Sequence, residues 1–111
     1  MPYQNITPVK LGQAAITLAV TTLYTVPAST RTLVKEMSIA NTTAAAINVN
    51  VFLVPSAGAA AVGNAFLYNM AVPANSTLQY NGIQVLDVGD TIQIQAAALG
   101  LTITASGAEA I

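Results

Sequence analysis

Residues 23–54, LYTVPASTRTLVKEMSIANTTAAAINVNVFLV, decide the fold. Within them Ile47, Val49, Val51 and Leu53 share one face of an extended chain, and Asn48, Asn50, Phe52 and Val54 share the other. Successive side chains of a strand point to opposite faces, so a period of two marks a half-buried β-strand. Residues 32–40 repeat the pattern, with Leu33, Lys35, Met37 and Ile39 on one face and Val34, Glu36, Ser38 and Ala40 on the other. Pro27 in VPAST ends a shorter run over residues 23–26, and the small tract 41–46 separates the two long runs. Phe52 and Val54 break an otherwise polar face. They either sit under a loop or meet another subunit.

The flanking chain follows the same grammar. Residues 1–10 hold Pro2 and Pro8, which disfavour helix and suit an extended N-terminal arm or an edge strand. Over residues 13–20, Ile16, Leu18 and Val20 alternate with Thr17 and Ala19, which predicts a strand. Residues 55–64, PSAGAAAVGN, read as a loop. Residues 65–72 are apolar on both faces (Phe66, Tyr68, Met70 and Val72 against Leu67 and Ala71), the mark of a central strand or one covered by a partner. A short strand then reaches Asn81-Gly82, a turn dipeptide. The run 83–86, the turn Asp87-Val88-Gly89-Asp90 and the run 91–96 read as a hairpin, and 101–106 alternates once more. About eight short strands and no helix predict an all-β chain. The fold is a single-domain two-sheet β-sandwich over residues 1–111, immunoglobulin-like or jelly-roll.

Charge is scarce. Three basic and four acidic residues make 6% of the chain, against about 25% in ordinary domains. Polarity comes instead from thirteen Thr, eight Asn, six Gln and five Ser. Alanine supplies 21 of the apolar residues, so the bulky apolar content is that of an ordinary globular domain. A net charge of −1 leaves little repulsion between copies. Such a surface suits association.

What is missing excludes most chemistry. Without Cys or His the chain has no disulfide, no thiolate and neither the commonest general base nor the commonest metal ligand. Three basic residues make no phosphate-tracking stripe, so no nucleic-acid partner is expected. MPYQNITPVK has no basic segment leading into an apolar run, and residues 14–26 are interrupted by four Thr. Neither a signal peptide nor a membrane span is predicted. Asp87 and Asp90 form a close carboxylate pair, either a weak cation site or turn formers. Asn5, Asn41 and Asn75 head glycosylation sequons that read as chance matches. No activated nucleophile is supported, so no enzyme, no cofactor and no metal are expected.

Six short motifs add a family likeness. Val26-Pro27-Ala28, Asn41-Thr42, Val54-Pro55-Ser56, Tyr68-Asn69, Ala74-Asn75-Ser76-Thr77 and Gly89-Asp90-Thr91-Ile92 occur in this order between residues 23 and 106. The pattern resembles that of small β-sandwich virion accessory proteins of tailed bacteriophages, of the capsid decoration or cement type. The motifs are turns and strand ends rather than a site signature. The resemblance implies a decoration protein on the outer surface of the phage head, made in the host cytoplasm. It also implies the major capsid protein as partner and a homo-oligomer, a trimer in the family. The alternative is a tail, neck or fibre-associated structural or host-binding module. Phe52, Val54, Phe66 and Tyr68 are then the residues expected to make self-association or capsid contacts, with residues 1–10 as a docking arm.

Overall fold

The alternating runs become strands and the small polar tracts become turns. The computed structural model describes residues 5–111. Its strands are β1 (Ile6–Ala15), β2 (Thr21–Thr25), β3 (Arg31–Asn41), β4 (Ile47–Val54), β5 (Ala65–Val72), β6 (Thr77–Leu86), β7 (Thr91–Ala96) and β8 (Leu101–Ala110), with one 3₁₀ turn at Val62–Asn64. One sheet has the order β1-β8-β3-β6 and the other β2-β7-β4-β5, with every pair antiparallel. This order is an eight-stranded jelly roll, which settles the choice left open between the two sandwich types.

Only β4 and β5 are both consecutive and paired. The turn at residues 87–90 therefore crosses from one sheet to the other and closes no hairpin. Its backbone bonds instead to the β2–β3 connection: Val26 N–H donates to Asp90 O at 2.9 Å, and Gly89 N–H to Val26 O at 3.2 Å. Gly89 takes a φ of +85° there, a left-handed conformation that costs glycine little.

The core between the sheets is aliphatic. Val34, Met37, Ile39 and Ile103 of the first sheet face Val49, Val51, Ile92 and Ile94 of the second, all at most 1% exposed. Each such burial is worth about 1.5–3 kcal/mol. Phe66 and Tyr80 close one side of the sandwich as an edge-to-face pair, with ring centroids 4.7 Å apart.

In the first sheet strict alternation fails at one level. Val34 pairs with Gly107 and Glu36 with Ser106, so Lys35 is an extra residue on β3. Leu11 is extra on β1 in the same way, and Gly82 and Ile83 lie opposite Lys35 on β6. These irregularities line up across the whole sheet. They surround Gly107, where an added Cβ would overlap the Leu33 carbonyl oxygen. The bulge reverses the facing of β3: Thr32 and Val34 are buried before it, Met37, Ile39 and Asn41 after it. Leu33 and Met37 thus do not share a face.

Other expectations shift for related reasons. Asn81-Gly82 is a bulge within one continuous strand rather than a turn, because β3 runs alongside and keeps β6 extended. The strand expected over residues 13–20 ends at Ala15, and Ile16 alone turns inward while Leu18 and Val20 are exposed. β5 is an edge strand, not a central one. Of the arm expected over residues 1–10, Ile6–Lys10 lie in β1 against β8, and residues 1–4 lie outside the described residues.

Gly107→Ala is expected to lower the free energy of unfolding by about 2 kcal/mol or more, since the backbone oxygen it meets cannot step aside. Ser106→Ala, which adds no atom at the bulge, should change it by less than about 1 kcal/mol. Urea titrations followed by circular dichroism measure both.

Candidate functional site

The four residues expected at contacts do not come together. Phe52 and Val54 stand on the outer face of β4, where they pair with Gln93 and Thr91. They are nevertheless 5% and 1% exposed. The chain's own loop covers them: it turns back through a Gly58 N–H to Pro55 O bond of 2.9 Å, Gly58 lies against Val54, and the Val62–Asn64 turn contacts β4. These two residues are interior and are not presented to another copy. Phe66 is half-buried in the seam against Tyr80. Tyr68 alone reaches solvent, 58% exposed on edge strand β5 beside Met70. Alternation identified the face of Phe52 and Val54 but carried no information on what covers it.

The outer face of the second sheet is tied by neutral amides. Asn48 Nδ2 donates to Asn69 Oδ1 at 2.9 Å, and Asn69 N–H donates to Asn50 Oδ1 at 2.6 Å. Asn50 Nδ2 donates to Gln95 Oε1 at 3.1 Å, and Gln95 Nε2 to the Leu18 carbonyl at 3.2 Å. The ladder runs from β5 through β4 and β7 to the β1–β2 loop. It holds Asn69, a bulge residue with φ +51°, which asparagine tolerates better than most residues. This face is therefore satisfied without charge.

The first sheet's outer face is divided by the bulge. On one side the cross-strand rows are Asn81–Glu36–Ser106–Lys10 and Gln79–Ser38–Thr104–Gln13, all polar. On the other side lies Val85–Leu33–Ala108–Pro8, bounded one row beyond by Arg31–Ala110–Ile6. Ile83 and Val85 are 60% and 53% exposed, and Ile6 66%. This apolar half, rimmed by polar rows, has the composition of an interaction surface. Sequence reasoning missed it because the bulge, which no local pattern announces, decides which residues share the face.

The polar groups at the two ends of the sandwich are structural. Asp90 Oδ1 accepts the Ser56 N–H and Oδ2 the Asp87 N–H, each at 2.9 Å, while Asp87 Oδ1 pairs with Arg31 Nε at 3.1 Å. The carboxylate pair thus pins the β4–β5 loop to the 87–90 turn, and among the described residues no three potential metal ligands cluster. At the opposite end an open hollow is lined by residues 40–42 and 75–77. Its one buried member, Asn41, donates to the Ala45 and Val72 carbonyls (2.8 and 2.9 Å) and accepts from Thr43 N–H and Oγ1 (2.9 and 2.7 Å). That sequon asparagine has no free amide.

Tyr24 of β2 crosses the sandwich. Its hydroxyl donates to Glu109 Oε2 at 2.6 Å and accepts from Thr32 Oγ1 at 2.7 Å. Burial, then the hydrogen bond to Glu109, push the phenol up to about 12 from 10.0, with an opposing pull from the Thr32 hydrogen bond and a lesser upward push from the Glu109 charge.

No protein-family model and no curated protein matches the sequence. Among solved structures, the chain is similar to one of infectious bursal disease virus strain Gx, with a TM-score of 0.55 and 11% identity over 96% of this chain and 32% of that one. A chain of the T13 particle of the same virus superposes with a TM-score of 0.49 and 13% identity, over 96% of this chain and 30% of that one. The present chain thus spans about a third of the viral chains it resembles. The likeness to the Gx chain is one of fold.

Asn41→Ala should cost about 1–3 kcal/mol, because it strands the buried Val72 carbonyl and removes the bonds that hold the 41–46 connection. Tyr24 makes a prediction in pH. Its folded pKa lies above its unfolded value, so its contribution is whole below pH 10 and is lost as pH rises through about 12. Between those values wild type should lose more stability than Tyr24→Phe, as read by denaturant midpoints at each pH.

Proposed function

We propose that this chain is a structural virion protein that decorates the outer surface of a tailed-bacteriophage head and strengthens the contacts between capsomers. The observation that carries the reading is the jelly roll itself, which superposes along nearly the whole chain on a protein of a virus structure. Three further features support it. The turn motifs resemble those of phage decoration proteins, the surface is nearly free of charge, and the first sheet exposes an apolar half-face.

In this reading the mechanism is mechanical. The major capsid protein is the partner, and the decoration protein is a homo-oligomer seated across subunit seams. It binds the assembled lattice and not the separated subunits, so its binding energy adds to the cost of pulling capsomers apart. At a free concentration one hundred times the dissociation constant this amounts to about 2.7 kcal/mol per site. Docking through apolar and neutral polar groups makes such attachment insensitive to salt.

Quantitative mass spectrometry of purified particles tests it. Copies in the hundreds per virion are expected, together with a higher temperature of DNA release once the protein is added to undecorated heads. A dozen copies or fewer would place the protein at the neck or tail instead, and absence from particles would overturn a virion role altogether.

A further inference from the structure

Four strands form the open edges of the sandwich: β1 and β6 in the first sheet, β2 and β5 in the second. An edge offers unpaired N–H and C=O groups to any passing strand, and monomeric proteins blunt it with proline, lysine, bulges or brevity. Three of the edges here are blunted. β1 carries Pro8, Lys10 and the Leu11 bulge; β2 has five residues and a register shift at Leu23; β5 shifts register twice, once at left-handed Asn69. β6 carries a bulge too, at Gly82–Ile83, yet is the least blunted of the four. It has ten residues, TLQYNGIQVL, with neither proline nor charge, and past its bulge it presents Ile83 and Val85 to solvent.

We infer that β6 is where two copies of this chain join, antiparallel about a two-fold axis through Gln84, so that two four-stranded sheets become one of eight strands. That register sets Ile83 of each copy opposite Val85 of the other, Leu86 opposite Gly82 and Asp87 opposite Asn81. The contact is self-complementary, as a two-fold interface must be. Charge complementarity favours a second copy as the occupant. β6 brings no charge to the seam, and the groups flanking it are opposite in sign. Lys35, on β3 level with Gly82 and Ile83, is exposed and has no ion-pair partner among the described residues. The two-fold carries the other copy's Asp87, held at Oδ1 by its own Arg31 but 70% exposed at its side chain, toward that same stretch. Of the other charges nearby, Arg31 pairs with Asp87 of its own copy at 3.1 Å, and Glu36 accepts from the Gln79 amide at 2.8 Å. Pairing also joins the two apolar half-faces, Val85–Leu33–Ala108–Pro8 in each copy, into one stripe across eight strands.

The inference concerns the isolated chain and stands apart from any capsid role. Sedimentation equilibrium on the full chain should give twice the 11.3 kDa chain mass. Ile83→Lys and Val85→Lys should each weaken the dimer at least tenfold while leaving circular dichroism and the melting temperature near those of wild type. The chain has no cysteine, so a variant combining Ile83→Cys and Val85→Cys should oxidise to a covalent dimer. Thr102→Cys, on the polar half of the same face, should not. A monomer at every concentration, a three-chain mass, a dimer indifferent to both lysine variants, or a failure of the paired cysteines to cross-link would each overturn the assignment. Should a lysine variant fail to fold, the cysteine pair decides.

Discussion

Gly107 has no side chain, and the first sheet is arranged around that fact. The β8 backbone comes so near Leu33 at this point that even a methyl group would collide with the carbonyl. To keep hydrogen bonding past the tight spot, β3 and β1 each carry one residue too many and β6 bends at Gly82–Ile83. The extra residues reverse which side chains look outward, and so they set the boundary between the polar and apolar halves of the face. One missing Cβ thus shapes both the packing inside and the chemistry outside.

Hydrogen-bonded polar groups hold the two sheets at either end of β3. Near its start, Thr32 and Glu109 receive Tyr24 from the opposite sheet. At its end, Asn41 binds the Val72 carbonyl of β5. Between these latches the core is aliphatic, and no buried side-chain polar atom among the described residues lacks a partner. Buried amides and hydroxyls that are fully bonded specify the alignment of two sheets without the desolvation cost of buried charge. A protein held this way needs few ionic groups, and its surface follows suit, with Asn and Gln side chains doing on the second sheet what salt bridges do elsewhere.

The sequence disclosed the strands better than their partners. Residues 47–54 read correctly because alternation is a local property of a strand with one wet face. The run 65–72 offered two readings, a central strand or a partner-covered one, and the sheet order removes the first: the edge strand β5 turns Phe66 inward to Tyr80 while leaving Tyr68 in solvent. Phe52 and Val54 were correctly placed on the outer face, but the loop that covers them has no pattern of its own. Strand order was illegible for a simpler reason: the jelly roll pairs mostly non-consecutive strands, and local periodicity says nothing about distant neighbours. The apolar half-face stayed hidden because it rests on a bulge set by contact between β8 and β3.

The pairing of β1 with β8 has a consequence for how the chain is made. β1 borders β8 alone, so it has no sheet partner until residues 101–110 leave the ribosome. At ordinary rates of synthesis the interval is about 5–20 s, during which the strand is extended and unpaired. Folding by distant contacts is slow even after that point. Pro8 and Lys10, which blunt this edge in the finished sandwich, therefore act earliest in the nascent chain, where a strand waiting for its partner is most open to the wrong one.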